Sequence, residues 1–151
     1  MTTIQLLSPV SGTIVALSDV QDPVFSEKMM GDGIAIQPTD EWFVSPCDGE
    51  ITALFPTYHA IGITTPEGLE VLIHIGLDTV ELNGKGFKAV IKEGANVKAG
   101  DRLVKIDHKK ITKLGKNILT PIIITNMDMV TSFSSAVGST RAGDVLLTVQ
   151  I

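Results

Sequence analysis

Two stretches of this chain repeat one another, and the repeat limits the folds open to it. Leu6-Leu7-Ser8-Pro9-Val10-Ser11-Gly12-Thr13-Ile14-Val15-Ala16-Leu17 aligns with Phe43-Val44-Ser45-Pro46-Cys47-Asp48-Gly49-Glu50-Ile51-Thr52-Ala53-Leu54, sharing Ser, Pro, Gly, Ile, Ala and Leu. Each copy reads as a strand, a proline-initiated turn and a second strand. A second echo sets Val97-Lys98-Ala99-Gly100-Asp101-Arg102-Leu103-Val104 against Thr140-Arg141-Ala142-Gly143-Asp144-Val145-Leu146-Leu147, a turn followed by an apolar strand. Neither half could bury its apolar face alone, so the echoes predict a duplicated architecture in which related hairpins pack face to face. The spacing is too irregular for a solenoid. The expected fold is an all-β antiparallel sandwich with internal duplication and one or two short helices, in one domain spanning residues 1–151.

The other elements follow from local pattern. Thr120-Pro121-Ile122-Ile123-Ile124-Thr125 reads as a buried strand from its β-branched content. Ile34-Ala35-Ile36 reads as a strand entered through the tight turn Met30-Gly31-Asp32-Gly33, which lacks the lysine of a phosphate-binding loop. The basic stretch His108 to Asn117 carries Ile111 and Leu114 at helical spacing, and a weaker helical turn is expected at Asn126 to Val130. The start, Met-Thr-Thr-Ile-Gln-Leu-Leu, has neither the basic residues nor the apolar run of a signal peptide, and no segment approaches a membrane span. A cytoplasmic protein without membrane insertion is expected. The single cysteine, Cys47, cannot pair internally and has no base or cation beside it, so a packing role is expected. A net charge of −5, with no basic patch interleaved with aromatics, argues against nucleic acid and favours a basic protein partner.

His59 and His74 carry the candidate chemistry. Tyr58 to Thr64 and Leu69 to Leu77 read as the arms of a β-hairpin joined by Thr65-Pro66-Glu67-Gly68. A turn centred between Pro66 and Glu67 puts His59 directly opposite His74, with Thr57, Ile61, Ile63, Glu70, Leu72 and Gly76 on the same face. Tyr58, Ala60, Val71, Ile73 and Ile75 then face the core, and the site lies at the edge of a sheet. A three-residue loop with Gly68 in a bulge would slip the register by one and send the histidines to opposite faces. Opposed imidazoles suit phosphoryl carriage: one ring attacks while its other nitrogen is pinned as a donor, and the second ring steadies the arriving group.

Three other readings compete. The histidines could simply be hydrogen-bonded within the sheet. Zinc needs ligands beyond the pair; Asp22 and Asp78 are candidates, but no intrinsic metal or other cofactor is expected. Glu27-Lys28-Met29-Met30 is similar to the attachment turn of biotinyl carriers, yet Lys28 follows Glu and the chain is about twice the carrier length. His108, among Lys109 and Lys110, is expected at the solvated surface.

The residues together resemble the glucose-type enzyme IIA of the bacterial sugar phosphotransferase system. The resemblance runs from about Leu6 to Ile151. It is carried by Asp22-Pro23-Val24-Phe25-Ser26-Glu27-Lys28, Gly31-Asp32-Gly33-Ile34-Ala35-Ile36, Thr57-Tyr58-His59-Ala60, Ile73-His74-Ile75-Gly76-Leu77-Asp78-Thr79-Val80-Glu81-Leu82, and Thr120-Pro121 with Asn126-Met127-Asp128. It implies a duplicated β-sandwich whose shallow site holds both histidines. In that family the residue matching His74 takes a phosphoryl group at Nε2 from the phosphohistidine of HPr, and the group passes on to a cysteine of a IIB domain. The resemblance further implies that His59 steadies the phosphoryl group, that Thr57 hydrogen-bonds His59, and that the Gly76 carbonyl orients His74. Val24, Phe25, Phe55, Leu72 and Val80 match the docking surface, with Asp22 and Asp78 placed to meet partner cations. A partner's carboxylate could complete a zinc site on the histidines, as in some relatives. The long N-terminal extension of enteric members is missing, so no lipid-binding tail is expected. The alternative from another class is a non-catalytic regulatory module that signals sugar status through the same face.

Overall fold

The computed structural model describes residues 2–151. The first echo forms β1 (Thr3–Leu7) and β2 (Gly12–Ala16) in one copy, and β4 (Trp42–Val44) and β5 (Gly49–Leu54) in the other. The second echo forms β9 (Asn96–Val97) with β10 (Arg102–Ile106), and β13 (Ser139–Thr140) with β14 (Val145–Gln150). The expected hairpins do not form, because the two strands of a copy lie in different sheets. β1 pairs with β14 and β4 with β10, whereas β2 pairs with β13 and β5 with β9. The serine before each proline builds the corner between sheets. The Ser8 hydroxyl donates to the Val10 carbonyl (2.8 Å) and that of Ser45 to the Cys47 carbonyl (2.7 Å). At the centre the copies exchange backbone bonds, Leu7 N–H to the Pro46 carbonyl and Val44 N–H to the Pro9 carbonyl, each 2.8 Å.

The remaining long strands are β3 (Asp32–Pro38), β6 (Ala60–Thr64), β7 (Glu70–His74) and β11 (Thr120–Ile124). They join the second strands of the echoes in one antiparallel sheet of order β13-β2-β3-β11-β7-β6-β5-β9. Two three-stranded sheets cover one of its faces. One is β1-β14-β12, with β12 spanning Ser132–Ser135, and the other is β4-β10-β8, with β8 spanning Phe87–Ala89. The main core lies between, joining Leu6, Phe43, Leu103 and Leu146 of the small sheets to Ile36, Ile61, Ile73 and Ile122 of the large one. A second apolar cluster, with Phe25, Ala60, Leu72 and Ile123, covers the opposite face of the large sheet. This is the duplicated all-β sandwich that the echoes predict.

Two α-helical turns complete the fold. α2 (His108–Lys113) lies in the expected basic stretch, where Asp107 caps it by accepting from Lys110 N–H. Ile111 is buried there, whereas Leu114 is 45% exposed and takes no part in the core. α1 (Pro23–Ser26) is an element that periodicity did not indicate. Its signal is the Asp-Pro pair: Asp22 accepts from Val24 N–H at 3.0 Å, and Pro23 opens the first turn with φ already set. The turn expected at Asn126 to Val130 is a 3₁₀ helix over Met127–Met129.

The hairpin register departs from the sequence reading. Ala60 pairs with His74, Gly62 with Leu72 and Thr64 with Glu70. The loop is the three-residue alternative: Thr65 N–H donates to the Leu69 carbonyl at 2.9 Å, with Gly68 at φ +97°. Ile61 and Ile63 therefore enter the main core with Val71 and Ile73, and Ala60 turns to the histidine side, which corrects both assignments. The histidines nevertheless stay together. β6 begins only at Ala60, and the turn before it, with Tyr58 left-handed at φ 59°, breaks the alternation that would have carried His59 to the core. Nor is the site at a sheet edge, since β7 lies between β6 and β11.

The pseudo-symmetry exposes one mismatch. Thr140 stands where the other copy has Val97, and its buried hydroxyl has no hydrogen-bond partner among the described residues. Replacing a polar group stranded in this way by an apolar one of similar shape is worth about 1 kcal/mol. Thr140→Val should raise the melting temperature by about 2–4 °C in a thermal scan, and an unchanged or lower value would contradict this account.

Candidate active site

The two imidazoles meet at the end of the central hairpin, with ring centroids 5.0 Å apart and planes at 79°. His74 closes β7, and its Nδ1 donates to the Gly76 carbonyl at 2.8 Å. A carbonyl can only accept, so this bond fixes the proton on Nδ1 and leaves Nε2 as a lone-pair nitrogen. His59 is only 3% exposed, and its Nδ1 is bonded to the Thr57 hydroxyl. Both Nδ1 atoms are thus engaged, and among the described residues neither Nε2 has a hydrogen-bond partner.

The carbonyl that orients His74 is itself held in place. Gly76 is left-handed at φ +80°, and a Cβ there would lie 2.4 Å from the Thr79 methyl and 2.8 Å from the Asn117 carbonyl. The buried Thr79 hydroxyl donates to the Ile75 carbonyl at 2.5 Å, and Leu77 N–H donates to the Asn117 carbonyl at 2.9 Å. Thr79 and Asn117 were not singled out from the sequence. Asn117 acts through a loop contact across 40 positions that no local pattern reveals, whereas Thr79 lies only four residues from its acceptor and Gly76 was the local signal.

An apolar collar surrounds the rings. Phe25 packs on His74 at 4.9 Å between centroids, and Phe55 meets His59 edge-on at 5.3 Å. Of the residues matched to a docking surface, Val24, Phe55 and Val80 are exposed, whereas Phe25 and Leu72 are buried in the apolar cluster on this side of the sheet. Met30, read from the sequence only as part of a turn, is exposed in the same region, and so is Tyr58, which the sequence reading turned to the core; the left-handed turn at Tyr58 carries its ring outward instead. Met30, Phe55 and Leu72 line a mainly apolar groove of about 260 Å³. Asp22 is occupied in capping α1, while Asp78 is exposed in a left-handed conformation at φ 57°. Among the described residues, no group of three His, Cys, Asp or Glu side chains gathers to hold a metal.

Comparison with known proteins decides the family. Residues 4–130 match the model of the phosphoenolpyruvate-dependent sugar phosphotransferase system, EIIA 1 family. The chain belongs to that family. It is a phosphotransferase component, a phosphoryl carrier in sugar uptake. It is similar to the PTS system glucose-specific EIIA component of Halalkalibacterium halodurans, 46% identical over 97% of this chain and 86% of the relative. The component of the same name from Bacillus anthracis is 49% identical over 89% of this chain and 82% of the relative. The solved glucose permease IIA from Mycoplasma capricolum superposes with a TM-score of 0.91 at 41% identity, covering 98% of this chain and 96% of that one. Among the described residues of this EIIA, no helix is long and apolar enough to cross a membrane.

Side chains outside the EIIA site read blandly. Lys28 is left-handed at φ 58° and pairs with Asp32 at 3.4 Å. His108 is tied by Nε2 to the Asp40 carbonyl at 2.5 Å, so it is not simply a solvated surface residue. Cys47 is buried, and burial, with Asp48 and Glu67 adding to it, pushes its thiol up to about 12.

Burial governs the imidazoles. It pushes His59 down from 6.5 to about 4, with the neighbouring His74 adding to the effect. His74 is lowered too, chiefly by burial, against the opposing pull of its Gly76 bond and the carboxylates of Asp22 and Asp78. The unfolded chain therefore binds protons here at a higher pH than the folded one, so stability is complete above about 6.5 and declines as pH falls toward 4. Denaturation midpoints should fall across that window, and His59→Gln should make the decline shallower. An unchanged slope in the variant would refute the assignment.

Proposed function

We propose that this EIIA accepts a phosphoryl group on Nε2 of His74 from the phosphohistidine of HPr and delivers it to a cysteine of a IIB domain. The observation that carries this reading is the bond from His74 Nδ1 to the Gly76 carbonyl, because it leaves a neutral ring with Nε2 nucleophilic. In the first step the Nε2–P bond forms as the donor's N–P bond breaks, and the electron pair returns to the donor imidazole. In the second, the acceptor thiolate forms S–P as Nε2–P breaks, and His74 recovers its lone pair. His59 supports the phosphoryl group as a hydrogen-bond donor: with the Thr57 hydroxyl donating to its Nδ1, Nε2 carries the proton and bonds a phosphoryl oxygen. The depressed pKa values keep both rings neutral at cytoplasmic pH. Residues 1–151 act in this scheme as one unit on the cytoplasmic side. Sugar choice rests with the transporter, although the relatives are named for glucose.

Incubation with phosphorylated HPr should give an acid-labile, base-stable phosphate on the wild-type chain. His74→Gln should abolish labelling, whereas His59→Gln should still accept phosphate and pass it on poorly. The reversed pattern would exchange the two roles, and no labelling of the wild-type chain would favour the regulatory module instead.

Val24, Phe55, Val80 and Met30 supply the exposed apolar contact for both partners, and Asp22 and Asp78 face their cations. A carboxylate beside the site repels a phosphoryl dianion, so its value lies in steering a basic partner. Asparagine caps a helix about as well as aspartate, so Asp22→Asn removes the charge and keeps α1. Together with Asp78→Asn it should slow phosphoryl acceptance from HPr roughly tenfold at low salt and flatten the salt dependence. Rates and salt slopes equal to wild type would remove this role.

A further inference from the structure

Charge is segregated along this acidic chain. Residues 85–116 hold ten of its twelve cationic side chains and only three acidic ones, a balance of +7 within a total of −5. All three acids are engaged with backbone: Glu93 accepts from Leu54 N–H, Asp101 from Lys98 N–H and Asp107 from Lys110 N–H. Among the described residues, only Lys105 and Lys116 of the ten cations form ion pairs, with Glu41 at 3.8 Å and Glu81 at 2.7 Å.

The fold gathers part of this charge on one face. Lys88 and Lys105 sit directly opposite each other in the β8–β10 ladder, both exposed, an arrangement that weakens a sheet. On the other side of β10, Lys105 is paired with Trp42, whose ring lies 4.5 Å from the Arg102 guanidinium. Lys88, Lys105 and Lys110 share a shallow hollow of about 310 Å³, with Glu41 and Asp107 on its wall. The inward residues of this sheet, Phe43, Phe87, Leu103 and Ile106, pack in the core with Ile61 and Ile73, whereas Ala60 and Leu72 belong to the cluster on the histidine side. The basic face therefore points away from the phosphoryl site.

We propose that the outer face of the β4-β10-β8 sheet is a peripheral docking surface for an anionic phospholipid bilayer. Dispersed lysines with an amphipathic tryptophan among them suit a wide, planar array of phosphates. The sheet face offers one such aromatic, too few to serve as a stacking platform for nucleic acid. The sugar-transport system to which the chain belongs must act at a membrane, and contact through this face leaves the histidines directed into the cytoplasm.

Trp42 is the single tryptophan, so its emission reports directly on the contact. With the full chain at low salt, vesicles of phosphatidylcholine and phosphatidylglycerol should co-sediment the protein and shift Trp42 emission to the blue, while pure phosphatidylcholine should do neither. Lys88→Glu with Lys110→Glu should weaken binding at least about tenfold while phosphoryl acceptance from HPr stays unchanged. Equal binding to both vesicle types, no binding to either, or undiminished binding by the variant would overturn the proposal. So would retention of single-stranded RNA or an acidic protein by this face without vesicle binding.

Discussion

The crossed backbone bonds between Leu7 and Pro46 and between Val44 and Pro9 are the constraint on which the rest of this molecule is arranged. They fix two related corners against each other, and each corner sends its chain from a small sheet into the large one. The consequence reaches the active site, because the large sheet closes only when both copies contribute their second strands. β6, β7 and β11 then occupy its middle, buried on one face by the main core and on the other by the smaller cluster with Phe25 and Leu72. A site carried on these strands rests on the best-supported part of the structure.

Much of this was legible in the chain. The repeated Ser-Pro-x-x-Gly segments announced a duplication, and the β-branched run at 120–125 announced a buried central strand. What the repeats could not say was that each copy splits between two sheets. That depends on which distant segment offers its edge, and the decisive bonds join residues nearly 40 or more than 130 positions apart. The hairpin taught a finer lesson. Counting from the turn paired the two histidines, and the real register paired Ala60 with His74. The rings meet all the same, because a left-handed residue just before the strand undoes the one-residue slip made at the turn. Two local irregularities compensate, and neither is visible as periodicity.

Around the histidines the chemistry is divided between atoms that can play one role and atoms that can play two. A carbonyl accepts only, so Gly76 dictates the state of His74. A hydroxyl donates or accepts, so Thr57 leaves His59 able to follow what lies in front of it. Such a division fits the proposed phosphoryl carriage, in which His74 Nε2 keeps its lone pair and the His59 ring adapts. The apolar collar keeps both rings uncharged, and the acidic residues stand outside it.

The three-residue loop at 66–68 has a consequence for the tolerance of this domain to length variation. It pairs Thr64 with Glu70 and so sets Ile61 and Ile63 in the core beside Val71 and Ile73, faces that only a slip of one strand against the other would exchange. The tip of the hairpin is roughly 17 Å of strand from His74, an exposed turn with no chemistry of its own. An added residue there can bulge into solvent and leave every pairing of the ladder in place, so changes of length are absorbed at the tip before they reach the histidines.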